Sequence, residues 1–302
     1  MLSAVYHPGY VVPLPEGHRF PMPKFGLLYD LLVSEGTIDP GATTRPETAS
    51  REAVQLVHNQ DYVDKLLSGG LSAAEERRMG LPWSEPLIQR TFRAVGGTIA
   101  TARLALRTGL ACNTAGGTHH AHPGFGSGFC LLNDLAVTAR LLRAEGRVRR
   151  VLIVDLDVHQ GDGTAAALAG DPDLFTFSMH CGSNFPFRKV AGDRDIALND
   201  HLGDDAYLRE LEAALPLAID AAEPDLILYD AGVDVYVGDR LGRLDLTLNG
   251  IARRDRLVIE TARACDIPLA AVIGGGYDRD LAALADRHAI VHRVATERRG
   301  VV

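Results

Sequence analysis

Residues 151–163, with the sequence VLIVDLDVHQGDG, constrain the fold of this 302-residue chain more than any other segment. The first part is an apolar, β-branched run without Pro or Gly, which predicts a buried strand. Asp155, Asp157 and His159 follow at alternate positions, so an extended chain would present all three on one face. Buried carboxylates and an imidazole are costly without a partner, and a bound cation supplies the missing positive charge. The segment therefore predicts a cation site at the end of a buried strand.

Strand-like runs alternate with helical patterns along the whole chain. Further strands are predicted near the N-terminus, at 110–114, 174–179 and 225–232, and in the segment PLAAVIGGGY. Helices are predicted at 27–34, 53–67, 87–107, 133–145, 164–169, 204–222 and 249–265, and from 281 onward. Residues 68–86 are predicted to form a surface loop and 181–199 to be irregular. This alternation predicts an α/β fold with a parallel sheet covered by helices on both faces. No linker or repeat divides the chain, so we expect one domain over residues 1–302.

Composition and charge exclude several classes of protein. The net charge of −8, without a basic stripe, argues against nucleic acid as a direct partner and mildly favours cationic or neutral substrates. The four cysteines are widely spaced and form no CxxC pair, which is typical of reduced thiols. No apolar run is long enough to span a bilayer, and the N-terminus lacks the pattern of a signal peptide. We therefore expect a cytoplasmic protein without a membrane partner.

A second strand end offers a further metal ligand. Asp234 follows the predicted strand of residues 225–232, and ligand sites in parallel sheets lie beyond the carboxyl ends of the strands. Asp157, His159 and Asp234 would give a metal three protein ligands and leave positions open for water and substrate, which is typical of a catalytic site. Such a set suits zinc or ferrous iron. In the alternative interpretation, Asp157 caps a loop and Asp234 is a turn residue. This alternative is less favoured, because the DxDxH pattern occurs together with a second Asp at another strand end.

Two adjacent histidines lie in the glycine-rich loop AGGTHHAHPGFGSGFC. His119 and His120 could pair with the carboxylates of Asp155 and Asp162. A carboxylate on one ring nitrogen fixes the tautomer and raises the basicity of the other nitrogen. Such a pair is a suitable general base for taking a proton from water. His122, two residues further on, is expected at the rim.

Tyr277 directly follows three glycines at the end of the last predicted strand. Two interpretations stay open for it. It could be an ordinary half-buried tyrosine after a glycine turn, or a phenol that donates to a developing oxyanion. In the second case, the glycines would let the backbone approach the site closely. The run lacks the GxGxxG spacing of a dinucleotide site, and the chain has no P-loop, nucleophile elbow or zinc-finger spacing.

Taken together, the motifs resemble the zinc-dependent histone deacetylase family, within the arginase/deacetylase fold. The matching segments are GHRFPM, GGTHHAHPGFGSGFCLLND, VDLDVHQGDG, DAGVDVYVGDRLG and GGGY, in the order of the family and over essentially the whole chain. The GHRFPM start, the compact length and Gln160, where the family often has a second His, are most similar to the class IV branch and its bacterial relatives. The implied fold is a single three-layer αβα domain with a mainly parallel sheet.

The resemblance implies two kinds of metal ion. The first is zinc, with Fe²⁺ possible, held by Asp157, His159 and Asp234. The second is a structural K⁺, held by Asp155, Asp157, His159, Ser178 and the backbone of Met179.

The resemblance also implies the catalytic roles. His120, paired with Asp162, would be the general base and then the general acid. His119, paired with Asp155, would be its electrostatic partner. Tyr277 would polarise the acyl carbonyl.

The substrate implied by the resemblance is an acylated lysine in a peptide or protein, with an acetyl or longer fatty acyl group. Gly128 and Phe129 match one wall of the family's acyl-lysine tunnel, and either Phe185 or Phe187 would form the opposite wall. The alternative within the same chemistry is a small-molecule deacetylase such as an acetylpolyamine amidohydrolase, which tends to carry an extra loop for which the short N-terminal region leaves little room. A non-catalytic acyl-lysine binding module is a third interpretation, against which His120 and Tyr277 argue.

Overall fold

One parallel sheet of seven strands forms the centre of the computed structural model, which describes residues 2–297. The strands are β1 Ser3–Val5, β2 Leu110–Asn113, β3 Val151–Asp155, β4 Leu174–Cys181, β5 Arg194–Leu198, β6 Leu226–Asp230 and β7 Leu269–Val272. Their order across the sheet is β1-β2-β7-β6-β3-β4-β5, and every neighbouring pair is parallel. The order places β3 and β6, which precede the predicted metal ligands, side by side.

Helices cover both faces of this sheet. Within the described range they are α1 Lys24–Ser34, α2 Arg51–Gln55, α3 Gln60–Ser68, α4 Ala73–Met79, α5 Glu85–Thr108, α6 Asp134–Ala144, α7 Asp162–Leu168, α8 Asp204–Ala222, α9 Leu248–Ala264 and α10 Leu281–Glu297, with a 3₁₀ turn at Pro8–Tyr10. Alternate residues of β3 enter two separate apolar clusters, Leu152 and Val154 in one and Val151 and Ile153 in the other. Because successive strand residues point to opposite faces, the two clusters are the two layers of core between sheet and helices. The predicted α/β fold is confirmed.

No helix among residues 2–297 has both the length and the apolar character needed to cross a membrane. The cytoplasmic location stays a prediction.

The helix predicted over residues 53–67 is wrong in one respect, because it is broken into α2 and α3. The buried imidazole of His58 lies at the break and bonds through both ring nitrogens to the segment between β2 and α6. Its Nδ1 lies 3.0 Å from the carbonyl oxygen of His122, and its Nε2 accepts the N–H of Asn133 at 2.9 Å. The N–H of Asn59 also donates to the carbonyl of Pro123 at 2.8 Å. These tertiary bonds replace helical ones, so periodicity could not reveal the break.

Two regular elements were missed in segments predicted to be irregular. α4 lies within residues 68–86 and begins with a capping box between Ser72 and Glu75. It buries only Met79, so it has no apolar period to reveal it. β5 lies within residues 181–199 at the edge of the sheet, where it pairs with β4 alone and alternates between half-buried and exposed residues.

Contrary to the prediction from the sequence, Asp155, Asp157 and His159 do not lie on one face of an extended strand. β3 ends at Asp155, so Asp157 and His159 lie in the loop beyond it rather than on the strand. Each polar side chain turns the backbone that follows it. Asp155 Oδ1 accepts the N–H of Asp157 at 3.1 Å, and Asp157 Oδ1 accepts the N–H of His159 at 3.0 Å. The loop therefore curls over the strand end and brings its side chains toward β6.

Close packing explains the glycine pair inside α5. A methyl group on Gly96 would lie 1.9 Å from the carbonyl oxygen of Glu47, and one on Gly97 would lie 2.0 Å from the Tyr10 hydroxyl. Both distances are far shorter than any van der Waals contact. The glycines let the helix pack against the chain at residues 47–49 and against the 3₁₀ turn.

Gly96→Ala should therefore destabilise the protein, despite the higher helix propensity of Ala. We expect a loss of about 1–3 kcal/mol in the free energy of unfolding, because the backbone at Glu47 must move to admit the methyl group. Gly26→Ala in α1 is the matched control, since its methyl group would meet only Val11 Cγ2, at 3.3 Å. Urea unfolding of both variants measures the difference, and equal stabilities would contradict the packing argument.

Candidate metal and catalytic site

Three buried side chains converge beyond the ends of β3 and β6. His159 Nδ1 lies 3.0 Å from Asp157 Oδ1 and 3.1 Å from Asp234 Oδ2. One ligand atom from each residue lies within 4.8 Å of the others. The structure thus brings together the Asp/His/Asp set that the sequence predicted from two separate strand ends.

The chemistry of this set fits a divalent cation. The single N–H that His159 Nδ1 can carry reaches two carboxylates but satisfies only one of them. The remaining carboxylate oxygens are held by backbone, since Val158 N–H donates to Asp234 Oδ1 at 2.9 Å and Gly275 N–H donates to Asp157 Oδ2 at 2.7 Å. Two buried negative charges beside one imidazole are unfavourable without a cation, and two carboxylates with one imidazole are donors that suit Zn²⁺ or Fe²⁺.

The glycine run before Tyr277 lies directly against these carboxylates. A methyl group on Gly275 would lie 2.1 Å from Asp234 Oδ2 and 2.5 Å from Asp157 Oδ2. Gly274 adopts a φ of +57°, which side-chain-bearing residues rarely adopt. The prediction that these glycines permit a close backbone approach is confirmed.

Both predicted His–Asp pairs form in the structure. His119 Nδ1 lies 2.8 Å from Asp155 Oδ2, and His120 Nδ1 lies 2.6 Å from Asp162 Oδ1. The two imidazole rings lie beside each other with centroids 4.1 Å apart. His122, which is expected at the rim, is partly exposed, and its Nε2 lies 2.9 Å from the other oxygen of Asp162. Asp162 therefore holds two imidazoles at once.

Tyr277 is largely buried, with 9% of its surface exposed. It contributes to the walls of two cavities, an outer one and a small inner one. Its N–H donates to Asp239 Oδ2 at 2.7 Å, and its carbonyl oxygen accepts the N–H of Arg240 at 3.2 Å. Burial raises the pKa of the phenol well above its usual value, and the negative charges of Asp234 and Asp157 act in the same direction. The phenol therefore keeps its proton and can act as a hydrogen-bond donor.

An outer cavity of about 490 Å³ leads from solvent to His120, His159 and Tyr277. Its walls include the four residues that the family resemblance implied for the tunnel, namely Gly128, Phe129, Phe185 and Phe187. The Phe185 ring stands perpendicular to the His120 ring, with centroids 4.9 Å apart. Phe187 is 87% exposed, so it lies at the mouth. Of the two candidates for the opposite wall, Phe185 is the one beside the reactive groups.

The residues proposed for K⁺ are neighbours on β3, β4 and the loop after β3. Asp155 and Ser178 face each other across the β3–β4 pair, and Met179 follows Ser178. The Ser178 hydroxyl lies 2.9 Å from His180 Nδ1. This arrangement is compatible with the proposal, and K⁺ binding stays a prediction.

Sequence reasoning missed a fourth carboxylate at this edge of the sheet. Asp230 pairs with Asp155 across β3 and β6, is fully buried, and has no hydrogen-bond partner on either oxygen within the described part of the chain. Its Oδ2 lies 3.8 Å from His119 Nδ1. Burial raises its pKa well above the usual range, with the charge of Asp155 adding to the effect. The sequence feature that could have identified Asp230 was its position at the end of a predicted buried strand.

Two buried cations were also missed. Lys24 Nζ donates to the carbonyl oxygen of Gly274 at 3.1 Å. Burial lowers the pKa of this ammonium to about 8, and the negative charges of Asp234 and Asp157 oppose that shift. Arg254 Nη1 donates to the carbonyl oxygens of Leu156, at 3.2 Å, and Gly232, at 2.6 Å.

Arg254 thereby joins the loop after β3 to the loop after β6, which together carry the candidate metal ligands. The sequence carried no signal for this role, because Arg254 and the exposed Arg253 are neighbours of the same type.

Comparison with known proteins assigns a family to this geometry. Residues 18–292 match the histone deacetylase domain. The chain is 54% identical to an uncharacterised protein of Picosynechococcus, over 97% of this chain and 98% of that protein. It is 32% identical to histone deacetylase 2 of Arabidopsis thaliana, over 91% of this chain and 74% of that protein. The crystal structure of an HDAC homologue from Aquifex aeolicus has the same fold, with a TM-score of 0.83 at 24% identity, covering 98% of this chain and 84% of that one.

Asp157→Asn should abolish divalent metal binding, because it removes one of the two anionic ligands. We expect about one metal ion per chain in the parent protein and a small fraction of that in the variant, measured by mass spectrometry after zinc loading and dialysis. Asp230→Asn is the matched control, since it removes an equally buried carboxylate that lies outside the Asp157/His159/Asp234 cluster. Equal metal loss in both variants would contradict the assignment of the ligands.

Proposed function

The chain belongs to the histone deacetylase family, and from this premise we propose that it removes acyl groups from the ε-amine of lysine in peptides or proteins. As a member it is a metal-dependent amide hydrolase. The single observation that best supports lysine as the acylated amine is the outer cavity. Its aromatic and glycine walls suit an extended aliphatic stem, and it ends at His120 and Tyr277.

His120 is the proposed general base. Its Nδ1–H donates to Asp162, which leaves Nε2 unprotonated and able to accept a proton from the attacking water. Burial lowers the pKa of this imidazole to about 4, and the positive charge of His119 acts in the same direction, so the ring is neutral near pH 7. After the attack, the same nitrogen returns the proton to the leaving amine. Asp162 keeps the ring oriented throughout.

Tyr277 is the proposed donor to the acyl oxygen. Its protonated phenol donates to the carbonyl oxygen as negative charge develops there. A divalent cation held by Asp157, His159 and Asp234 supplies, when bound, Lewis acidity toward the same oxygen and toward the water. Water adds to the acyl carbon, the C–N bond breaks, and the products are a carboxylate and the free lysine amine.

The size of the inner cavity favours short acyl groups. This cavity shares His120, His159 and Tyr277 with the outer cavity and has a volume of about 40 Å³. A water molecule needs roughly 10–15 Å³ measured in this way, so the space is of the order of an acetyl group and far smaller than a fatty acyl chain. The buried cations Lys24 and Arg90 lie in its wall and make it unfavourable for a long alkyl chain. We therefore propose acetyl as the preferred acyl group.

Acid release from lysine peptides that differ only in the acyl group tests this proposal directly. We expect release that a chelator abolishes, with kcat/KM for acetyl at least roughly tenfold above that for myristoyl, because the longer chain cannot be accommodated. Acetylpolyamines form the second arm of the panel. Release from polyamines alone would contradict lysine as the substrate, and a preference for myristoyl would contradict the argument from cavity size. Metal-loaded protein that released acid from no compound would contradict hydrolysis.

Tyr277→Phe should lower kcat on the acetyl-lysine peptide by about 10²–10³-fold, because one donor to the oxyanion is lost. The metal content should not change, since the phenol is not a proposed ligand. Tyr29→Phe is the control, because it also removes one phenol hydroxyl. Tyr29 lies in α1, and its ring stacks on that of Tyr6 with centroids 3.7 Å apart. A Tyr277→Phe enzyme with the turnover of the control would overturn the role given to this residue.

A further inference from the structure

The mouth of the outer cavity is positively charged, although the chain as a whole carries a net charge of −8. Four arginines line this cavity, and no carboxylate does so among the described residues. They are Arg19, Arg77, Arg78 and Arg243. We call this set the arginine rim.

Three separate segments contribute to the arginine rim. Arg19 lies in the GHRFPM segment before α1, Arg77 and Arg78 lie in the last turn of α4, and Arg243 lies in the loop between β6 and α9. Arginines from distant parts of the chain therefore meet around one opening. The short helix that sequence analysis did not detect carries half of the rim.

Most of this charge is not neutralised by the protein itself. Arg19, Arg77 and Arg78 are exposed, and no carboxylate in residues 2–297 forms an ion pair with any of them. Two of them are held by aromatic rings instead, because Arg19 lies over Phe129 at 5.0 Å and Arg78 lies over Phe125 at 4.7 Å. These ring contacts orient the guanidinium groups and leave their charge available to a ligand.

Arg243 differs from the other three, since Asp200 lies 3.4 Å from its Nη1. Both side chains of this pair are partly exposed, so solvent screens the interaction. The rim as a whole therefore keeps an excess of positive charge beside the entrance.

A positive rim discriminates between the possible substrates. A cationic acylated amine, such as an acetylpolyamine, would be repelled at the entrance, whereas net charge alone mildly favoured cationic or neutral substrates. Guanidinium groups bind carboxylates through paired N–H donors in a fixed geometry. Carboxylates that flank the acylated lysine would lie at the entrance while the lysine stem occupies the cavity. The exposed Phe187 adds apolar contact surface at the same mouth.

We propose that the arginine rim selects acyl-lysines flanked by acidic residues, so that the preferred substrates are acidic peptide segments of proteins. This inference rests on the proposed lysine deacylase function and names its substrate class. Arg77 and Arg78 are specificity residues that bind the flanks of the substrate and do not touch the reacting amide.

Three acetyl-lysine peptides that differ only at the two positions on each side of the lysine test the rim. The flanks are Asp/Glu, Asn/Gln or Lys/Arg. We expect kcat/KM to fall in that order, by roughly tenfold from acidic to neutral flanks, and the difference to shrink at high ionic strength. The effect should lie in KM, because the amide itself contacts none of these arginines.

Charge reversal in the rim provides the second measurement. Arg77→Glu should remove most of the preference for acidic flanks while keeping kcat on the neutral peptide. Arg209→Glu is the matched control, because it makes the same change in net charge at an exposed position on α8, away from the cavity. We expect this control to retain the parent preference.

The outcomes separate this inference from the function on which it rests. Equal kcat/KM on all three peptides, or a preference for basic flanks, would overturn the role of the rim and leave the deacylase function standing. An unchanged preference in Arg77→Glu would also overturn it. Failure to release acetate from any of the peptides by metal-loaded protein would instead overturn the proposed function.

Discussion

Four carboxylates are buried where two neighbouring parallel strands end, and the surrounding structure compensates for their charge. They are Asp155, Asp157, Asp230 and Asp234. Burying one such group without a partner costs several kcal/mol, so this part of the sheet depends on its counter-charges. The compensating groups are the imidazoles of His119 and His159, backbone N–H groups of both loops and the buried ammonium of Lys24, and a divalent cation at the Asp157/His159/Asp234 set would complete the balance. His159, a proposed metal ligand, is therefore also one of the groups that balance this charge.

Much of this arrangement could be predicted from the sequence, because its signals are local. Apolar runs predicted the central strands, and polar residues at the ends of those runs predicted the Asp157, His159 and Asp234 set. The remaining features depend on contacts between distant segments. His58 breaks a helix by bonding to a loop more than sixty residues away, and nothing near Lys24 indicates that its ammonium lies below the glycine turn. Resemblance to the family supplied the tunnel residues, and only the structure separates Phe185 from Phe187.

The net charge of the chain also differs in sign from the charge around the cavity mouth. The net charge of −8 counts carboxylates spread over the whole surface and others buried at the strand ends. The net charge does not give the local charge at the mouth of the outer cavity, where the described lining residues include four arginines and no acidic residue. The sequence-based expectation of cationic or neutral substrates used the sum, and α4, which carries two of these arginines, had no periodic signal. In this chain, the charge around the mouth is therefore set by loops and one short helix.

The central claim is that a divalent cation balances the carboxylates at the ends of β3 and β6 and lies where Asp157, His159 and Asp234 meet. Anomalous X-ray diffraction from zinc-loaded crystals, collected on both sides of the zinc edge, tests it most directly. The account predicts one strong peak within bonding distance, about 2 Å, of a ligand atom from each of these three residues. No peak at that position in fully loaded crystals, or a peak at the His119/Asp155/Asp230 cluster instead, would contradict it.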